Sequence, residues 1–283
     1  MVNSLTTVSS LHRITKLPID LNNPFYTHYP SLKLGVDESV VHYGKLLAPV
    51  AKQLILANLD YTDWVLTAPA YNALPAAANL LCWCVYDLLK DQLPPSITLS
   101  VLDIHESNRF LEPESQKKAD DYSKLSQEER IKSRERSNQF IIPEPAFCDR
   151  AVIFVNDINV TGTQQKFMQR YFESVQAAIV QWLYVIDVEK SIGESEPQLE
   201  YSINYSKIAS FEEFAQIIAH ANIQYTAKCV WRLLAYSVPE LDQLFRTLDD
   251  NRKSRILQLA LEEGLSKKEI FQKKIALLKV WMS

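Results

Sequence analysis

The residues best suited to chemistry lie together at Asn156-Asp157-Ile158-Asn159-Val160-Thr161-Gly162-Thr163. The hydrophobic run 151–155 precedes them as a strand candidate, and a helical pattern begins at Gln164. Five glycines occur in 283 residues, and one of them, Gly162, falls in this loop. A buried strand ending in Asn156-Asp157, a short loop over 158–163 and a helix start point to anion binding. Successive backbone N–H groups in a tight turn form a concave nest. The helix N-terminus adds unpaired donors and the positive end of its dipole. Thr161 and Thr163 offer hydroxyl donors, and Gly162 lets the backbone approach a ligand. Asp157 can accept hydrogen bonds from sugar hydroxyls. The set suits a sugar carrying a terminal phosphate. A bare Thr-Gly-Thr reads better as an empty turn. The full order of strand, Asn-Asp, Thr-Gly-Thr and helix favours binding.

Such a loop works only if a sheet holds it. Residues 64–67, 97–104, 151–155 and 183–187 are strand candidates. Residues 39–59, 75–90 and 164–180 carry helical spacing, with Pro75 suited to a first turn. Strand–helix alternation implies parallel strands with crossover helices. Ligands in such sheets bind beyond the carboxyl ends of the strands. The loops after Thr67 and Val155 are therefore the places to look. Residues 191–206 resemble a linker with some strand character. From Ser210 onward four or five helices are expected, with Ser210/Glu213 and Ser266/Glu269 as capping boxes and Gly264 between the last two. The chain thus divides into an irregular N-terminal arm (1–23), an α/β domain (24–190) with a mobile loop at 107–138, and a linker with a helical C-terminal region (191–283).

Composition narrows the classes. With 47% hydrophobic and 23% charged residues, the chain can bury a core without staples. A net charge of -4 and a pI near 5.8 argue against a nucleic-acid partner. The longest apolar run, 73–89, is interrupted by Pro75, Asn79 and Asp87, so no membrane span is expected. Residues 1–16 lack the apolar core of a signal peptide, which points to the cytoplasm. Cys82 and Cys84, two apart on a helix, do not face each other. The five histidines are scattered, and His105 reads as structural. No dinucleotide, Walker, zinc-protease or paired C-x-x-C motif occurs.

The segment VIFVNDINVTGT, residues 152–163, resembles the phosphoribosyl pyrophosphate (PRPP) signature of type I phosphoribosyltransferases (PRTases). That signature has four hydrophobic residues, two acids, a short spacer and a Thr-Gly loop. The resemblance spans about residues 25–187 and is nearest to the competence-associated and tellurite-resistance-associated branches. It implies a PRTase-type, Rossmann-like parallel sheet flanked by helices, with an α-helical C-terminal extension. It also implies that Asp157 and Asn156 meet the ribose hydroxyls and that Asn159, Val160, Thr161, Gly162 and Thr163 wrap the 5′-phosphate. Asn156 replaces the first acid and brings no charge. Val160 stands where purine-salvage members often carry an acid, so a hypoxanthine–guanine enzyme is not implied.

The resemblance reaches further segments. TAPAYNALPAAANL, residues 67–80, lies where the family's pyrophosphate loop follows its first core strand, so Ala70, Tyr71 and Asn72 would cradle pyrophosphate. An ordinary strand–helix connection is the alternative. YPSLKLGVDESVVHYGKLLA, residues 29–48, is similar to an N-terminal element of the two branches, by which Lys33 would reach a phosphate; a solvated lysine is the plain alternative. YSKLSQEERIKSRERSNQF, residues 122–140, resembles a competence-branch stretch in the place of the mobile catalytic loop. There Arg130 and Arg134 would close over pyrophosphate. A solvated charged helix fits those residues equally.

Three functions follow from these readings. The first is a PRTase that passes ribose 5-phosphate from PRPP to a nitrogenous acceptor. Its Mg²⁺ would be held mainly by the substrate, with Asp157 a candidate ligand. The second, motivated by Asn156, is a non-catalytic PRPP- or nucleotide-binding regulator. The third is a helical interaction protein with a vestigial sheet domain. Family members often dimerise, which makes a homodimer an open expectation.

Overall fold

The computed structural model describes residues 7–106, 122–126, 128–129, 131–132, 140–141 and 146–281. The strands are β1 (Val8–Ile14), β2 (Asp63–Thr67), β3 (Thr98–Val101), β4 (His105–Glu106), β5 (Phe140–Ile141), β6 (Ala151–Asn159) and β7 (Ile179–Val188). The helices are α1 (Tyr29–Leu34), α2 (Asp37–Leu56), α3 (Ala77–Leu89), α4 (Thr163–Ser174), α5 (Lys190–Ser195) and α6 (Leu199–Asn204). They continue as α7 (Phe211–His220), α8 (Ala227–Ala235), α9 (Val238–Thr247), α10 (Asp250–Glu262) and α11 (Glu269–Val280).

Five strands form one all-parallel sheet in the order β1-β7-β6-β2-β3. A parallel sheet is covered on both faces, so its central strands read as continuous apolar runs. β6 and β7 obey this: every residue of β7 is buried, and so is β6 up to Ile158. Ile153 and Val155 join the core beneath α1, α2 and α3. Val152 and Phe154 join a second core with Met168 and Phe172 of α4. The architecture is the α/β sheet with C-terminal helices that the sequence implied.

Several boundaries differ from the sequence reading. Residues 8–14 are not an irregular arm; they pair in parallel with β7 as an edge strand. Their run Val-Ser-Ser-Leu-His-Arg-Ile hides the strand because an edge is only half buried and needs no apolar run. Residues 191–206 carry two short helices, α5 and α6, rather than strand. Pro75 precedes α3 instead of lying in its first turn. The 97–104 strand splits, because Leu102 turns away after pairing to Leu66 O and the chain restarts as β4. β4 pairs antiparallel with β5, joining the two ends of the 107–139 insertion.

Among its described residues the C-terminal region holds five helices, α7 to α11, around their own core, where four or five were expected. The Ser210/Glu213 capping box forms, with Ser210 Oγ accepting from Glu213 N at 3.1 Å. The Ser266/Glu269 box does not. Gly264 adopts φ 72, Leu265 is buried, and Ser266 is taken into a short 3₁₀ turn. This core also includes Leu34 and Leu74 from the sheet domain. Backbone bonds tie the two parts further: Asp37 N to Asn222 O at 3.0 Å, Gln224 N to Gly35 O at 2.9 Å and Ala227 N to Pro75 O at 3.0 Å. No helix among the described residues is long and apolar enough to cross a membrane.

Candidate functional site

β6 is the middle strand and β2 its neighbour. From this junction the chain winds outward both ways, β2 through α3 to β3 and β6 through α4 to β7. Loops leaving such a junction diverge and open a crevice at the carboxyl ends of the strands. The two loops singled out in the sequence flank it. Pairing between β2 and β6 stops at Thr67 and Phe154, whereas β6 runs on beside β7 to Asn159. The strand is therefore four residues longer than the 151–155 run suggested. Asn156 and Asp157 lie within it, and the true loop is Val160-Thr161-Gly162.

That loop has a closed side and an open side. Val160 and Thr161 are buried. Gly193 of α5 packs so tightly that a Cβ there would lie 1.8 Å from Val160 O. Gly162, at φ 68, caps α4, and a Cβ on it would meet nothing within 4 Å. The amides of Gln164 and Gln165, in the first turn of α4, have no acceptor among the described residues. Asn159 braces the turn: its Oδ1 accepts from Gly162 N at 3.2 Å, and its Nδ2 donates to Asp187 Oδ1 at 2.8 Å. The Thr161 and Thr163 hydroxyls lie 2.8 Å apart.

The two motif residues part company. Asn156 turns toward α4, where Nδ2 donates to Gln164 Oε1 at 2.9 Å and Oδ1 accepts from Asp157 N at 2.9 Å. Asp157 turns to the other sheet face. Its Oδ2 accepts from Tyr29 Oη at 3.1 Å and from Lys33 Nζ in a short ion pair. Its Oδ1 has no partner among the described residues. Lys33 Nζ also lies 3.6 Å from Glu200 Oε1 of α6. All three charged side chains are largely buried. Burial, then the charges of Asp157 and Glu200, push the Tyr29 hydroxyl well above its usual pKa, so it remains a donor. Asn156 and Asp157 are thus not presented side by side, and Lys33 is spent on carboxylates rather than held out for a phosphate.

The loop after β2 is partly committed. Tyr71 N donates to Ile104 O at 3.1 Å, which removes one of the three amides expected to cradle pyrophosphate. Those of Ala70 and Asn72 have no acceptor among the described residues. The Tyr71 ring packs edge-on against His105, and burial followed by Asp103 pushes its hydroxyl up to about 12. Two further amides, Ala73 and Leu74, donate to Glu263 Oε2 at 3.2 and 2.9 Å. Glu263 comes from the end of α10 and is buried. Arg130 and Arg134 lie outside the described residues, as does most of the 107–138 loop. Of that loop's described part, Lys124 lies over the Tyr201 ring of α6, 4.8 Å away.

Tyr29, Glu200, Glu263 and Asp187 were missed from sequence. Tyr29 had a signal, since it stands four residues before Lys33 on one helix face. Glu200 and Glu263 had none, because only the tertiary fold brings them to these loops. Among the described residues no group of three His, Cys, Asp or Glu side chains could hold a metal.

An open parallel sheet of five strands with helices on both faces defines a doubly wound α/β protein. The profile of the PRTase ComF-like family matches residues 5–278. The chain therefore belongs to the type I phosphoribosyltransferase family, in its ComF-like branch. That match takes in the C-terminal helices as well as the sheet. Comparison with curated proteins gives no match.

Proposed function

We propose that the protein binds PRPP in the crevice between the β2 and β6 loops and transfers its ribose 5-phosphate to a nitrogenous acceptor. The observation that carries this reading is the state of Asp157. Tyr29 and Lys33 anchor one carboxylate oxygen, and the other has no partner among the described residues, on the strand that leads into the outward-open Gly162 turn. A fixed acceptor for a sugar hydroxyl and a donor-rich turn for a phosphate suit one ribose 5-phosphate.

In the reaction the bond between ribose C1 and the pyrophosphate oxygen breaks, and its electron pair leaves with pyrophosphate. The acceptor nitrogen forms the new bond to C1 and releases its proton to solvent. Positive charge grows on the ribose ring in between, and preorganised negative groups favour it. Asp157 supplies such charge and orients the ring. The α4 N-terminus and the Thr161 and Thr163 hydroxyls hold the phosphate. Asn156 acts as a positioning residue that ties β6 to α4. Mg²⁺ on pyrophosphate and ribose oxygens would offset leaving-group charge, with Asp157 Oδ1 the protein oxygen available to it.

A second reading, a PRPP- or nucleotide-binding regulator without turnover, is favoured by the uncharged Asn156 and by Lys33 neutralising Asp157. Calorimetry with PRPP and Mg²⁺, run beside a pyrophosphate-release assay across a panel of nitrogenous bases, separates the two. Binding with release supports the transferase. Binding without release supports the regulator. No PRPP binding by the full chain removes both.

A further inference from the structure

The Gly162 turn is held by a strand that carries no part of the signature. β7 lies beside β6 in register, with Asn156 opposite Tyr184 and Asn159 opposite Asp187. Both pairs reach the start of α4. Asn156 Nδ2 donates to Gln164 Oε1 at 2.9 Å, and Tyr184 Oη donates to Gln165 Oε1 at 3.2 Å. Asp187 Oδ1 accepts from Asn159 Nδ2 at 2.8 Å, while Asn159 Oδ1 accepts from Gly162 N at 3.2 Å. Asp187 is buried, and its Oδ2 lies 3.8 Å from Nε of the exposed Arg13 on β1.

We propose that Asp187 is a positioning residue for the substrate phosphate, acting through Asn159, a role that rests on the PRPP-site reading above. An asparagine amide has one accepting end and one donating end. An ionised carboxylate only accepts, so it takes the NH₂ end and turns the oxygen toward Gly162 N. The flipped amide would set its oxygen against the carboxylate and its NH₂ against the Gly162 N–H, and neither bond would form. Gln165 Oε1 lies 3.4 Å from the same Nδ2 but already accepts from Tyr184, so it is the weaker guide. With its amide drawn to Asn159, Gly162 holds φ 68 and fixes where α4 begins, and with it the amides that receive an anion. A carboxylate this close to the turn also opposes an anion there. The site therefore uses the accepting oxygen of Asp187 and gains nothing from its charge.

Calorimetry with ribose 5-phosphate on the full chain tests this in four variants: Asp187→Leu, Asp187→Asn, Asn159→Leu and the double Asp187→Leu/Asn159→Leu. Asp187→Leu keeps the volume and loses the acceptor, so affinity should fall about tenfold, the effect of one hydrogen bond to a charged group. Asp187→Asn restores an accepting oxygen without the charge, and should bind about tenfold more tightly than Asp187→Leu. Asn159→Leu should lose at least as much as Asp187→Leu. Adding Asp187→Leu to it should then cost less than about twofold more, because Asp187 has no amide left to orient. Packing damage at position 187 would instead add in full to the Asn159 loss. Wild-type affinity in Asp187→Leu, equal affinities in the Asn and Leu variants, or additive losses in the double variant each overturn the proposal. If Asp187→Leu does not fold, Asp187→Ala, which also lacks an acceptor, is held to the same outcomes. If the wild-type chain does not bind ribose 5-phosphate, the PRPP-site reading fails first and takes this inference with it.

Discussion

Replacing a mid-helix glycine by alanine ordinarily stabilises a protein by up to about 1 kcal/mol, because alanine has the better helix propensity. At Gly193 the contacts reverse that sign. The added Cβ would lie 1.8 Å from Val160 O and 2.7 Å from Val160 C, both backbone atoms. An ordinary C···O approach is about 3.3 Å, so α5 and the turn must separate by about 1.5 Å. Neither side can yield by a rotamer change, and Val160 is buried. Overpacking of this kind costs about 1–3 kcal/mol. Gly193→Ala should therefore unfold in urea with a net loss of roughly 1–2 kcal/mol after the propensity gain. A shift of this size at a binding turn costs up to about a hundredfold in activity, so ribose 5-phosphate should bind at least tenfold more weakly by calorimetry. Gly162→Ala is the control: it meets open space but must hold φ 68, so it should lose about 1 kcal/mol through backbone strain alone. A Gly193→Ala protein as stable as wild type and equal in ribose 5-phosphate affinity would refute the claim that α5 fixes the turn.

Other outcomes follow from the same contacts. Asp157→Asn should abolish measurable PRPP binding while costing about 2 kcal/mol in urea unfolding, less than a fully broken buried pair because Glu200 still faces Lys33. Glu263→Ala should cost roughly 2–3 kcal/mol, mostly from the stranded Leu74 amide, since the exposed Ala73 can be rehydrated; a loss within error of zero would show that the loop does not need its carboxylate. Asp187 has its pKa raised by burial against the opposing effects of Asn159 and Arg13. Its contribution to stability is fully present below the ordinary carboxylate pKa and is lost as pH rises through the elevated one. Asp187→Asn should therefore gain on wild type as pH rises through that window, a trend readable from urea midpoints at a series of pH values.

The central strands and the turn were legible in the sequence because local rules govern them. A strand buried on both faces must be apolar throughout, and a turn before a helix that needs φ 68 calls for glycine. The cap at Ser210 was legible for the same reason. The reach of β6 to Asn159 was not. Polar residues in a strand look like its end unless the partners that satisfy them are known, here Gln164 for Asn156 and Tyr29 with Lys33 for Asp157. β1 was missed because an edge strand can be built from Ser, His and Arg. The ion pair of Lys33 with Glu200 was beyond any motif, since it joins residues 167 positions apart. The fold reading survived these errors because β6 and β2 lie side by side at the sheet's centre.

The bond between Glu263 and the loop after β2 spans 190 positions, and it has a consequence for how the protein is made. The sheet's inner strands can align once residue 188 has been synthesised. One wall of the crevice still has amides awaiting an acceptor that appears 75 residues later. A nascent chain halted before α10 would have its floor in place and its rim unfinished. Contacts of such separation form slowly, because a long loop must close before they contribute. Ligand competence should accordingly emerge as a late step in refolding, trailing the recovery of sheet structure.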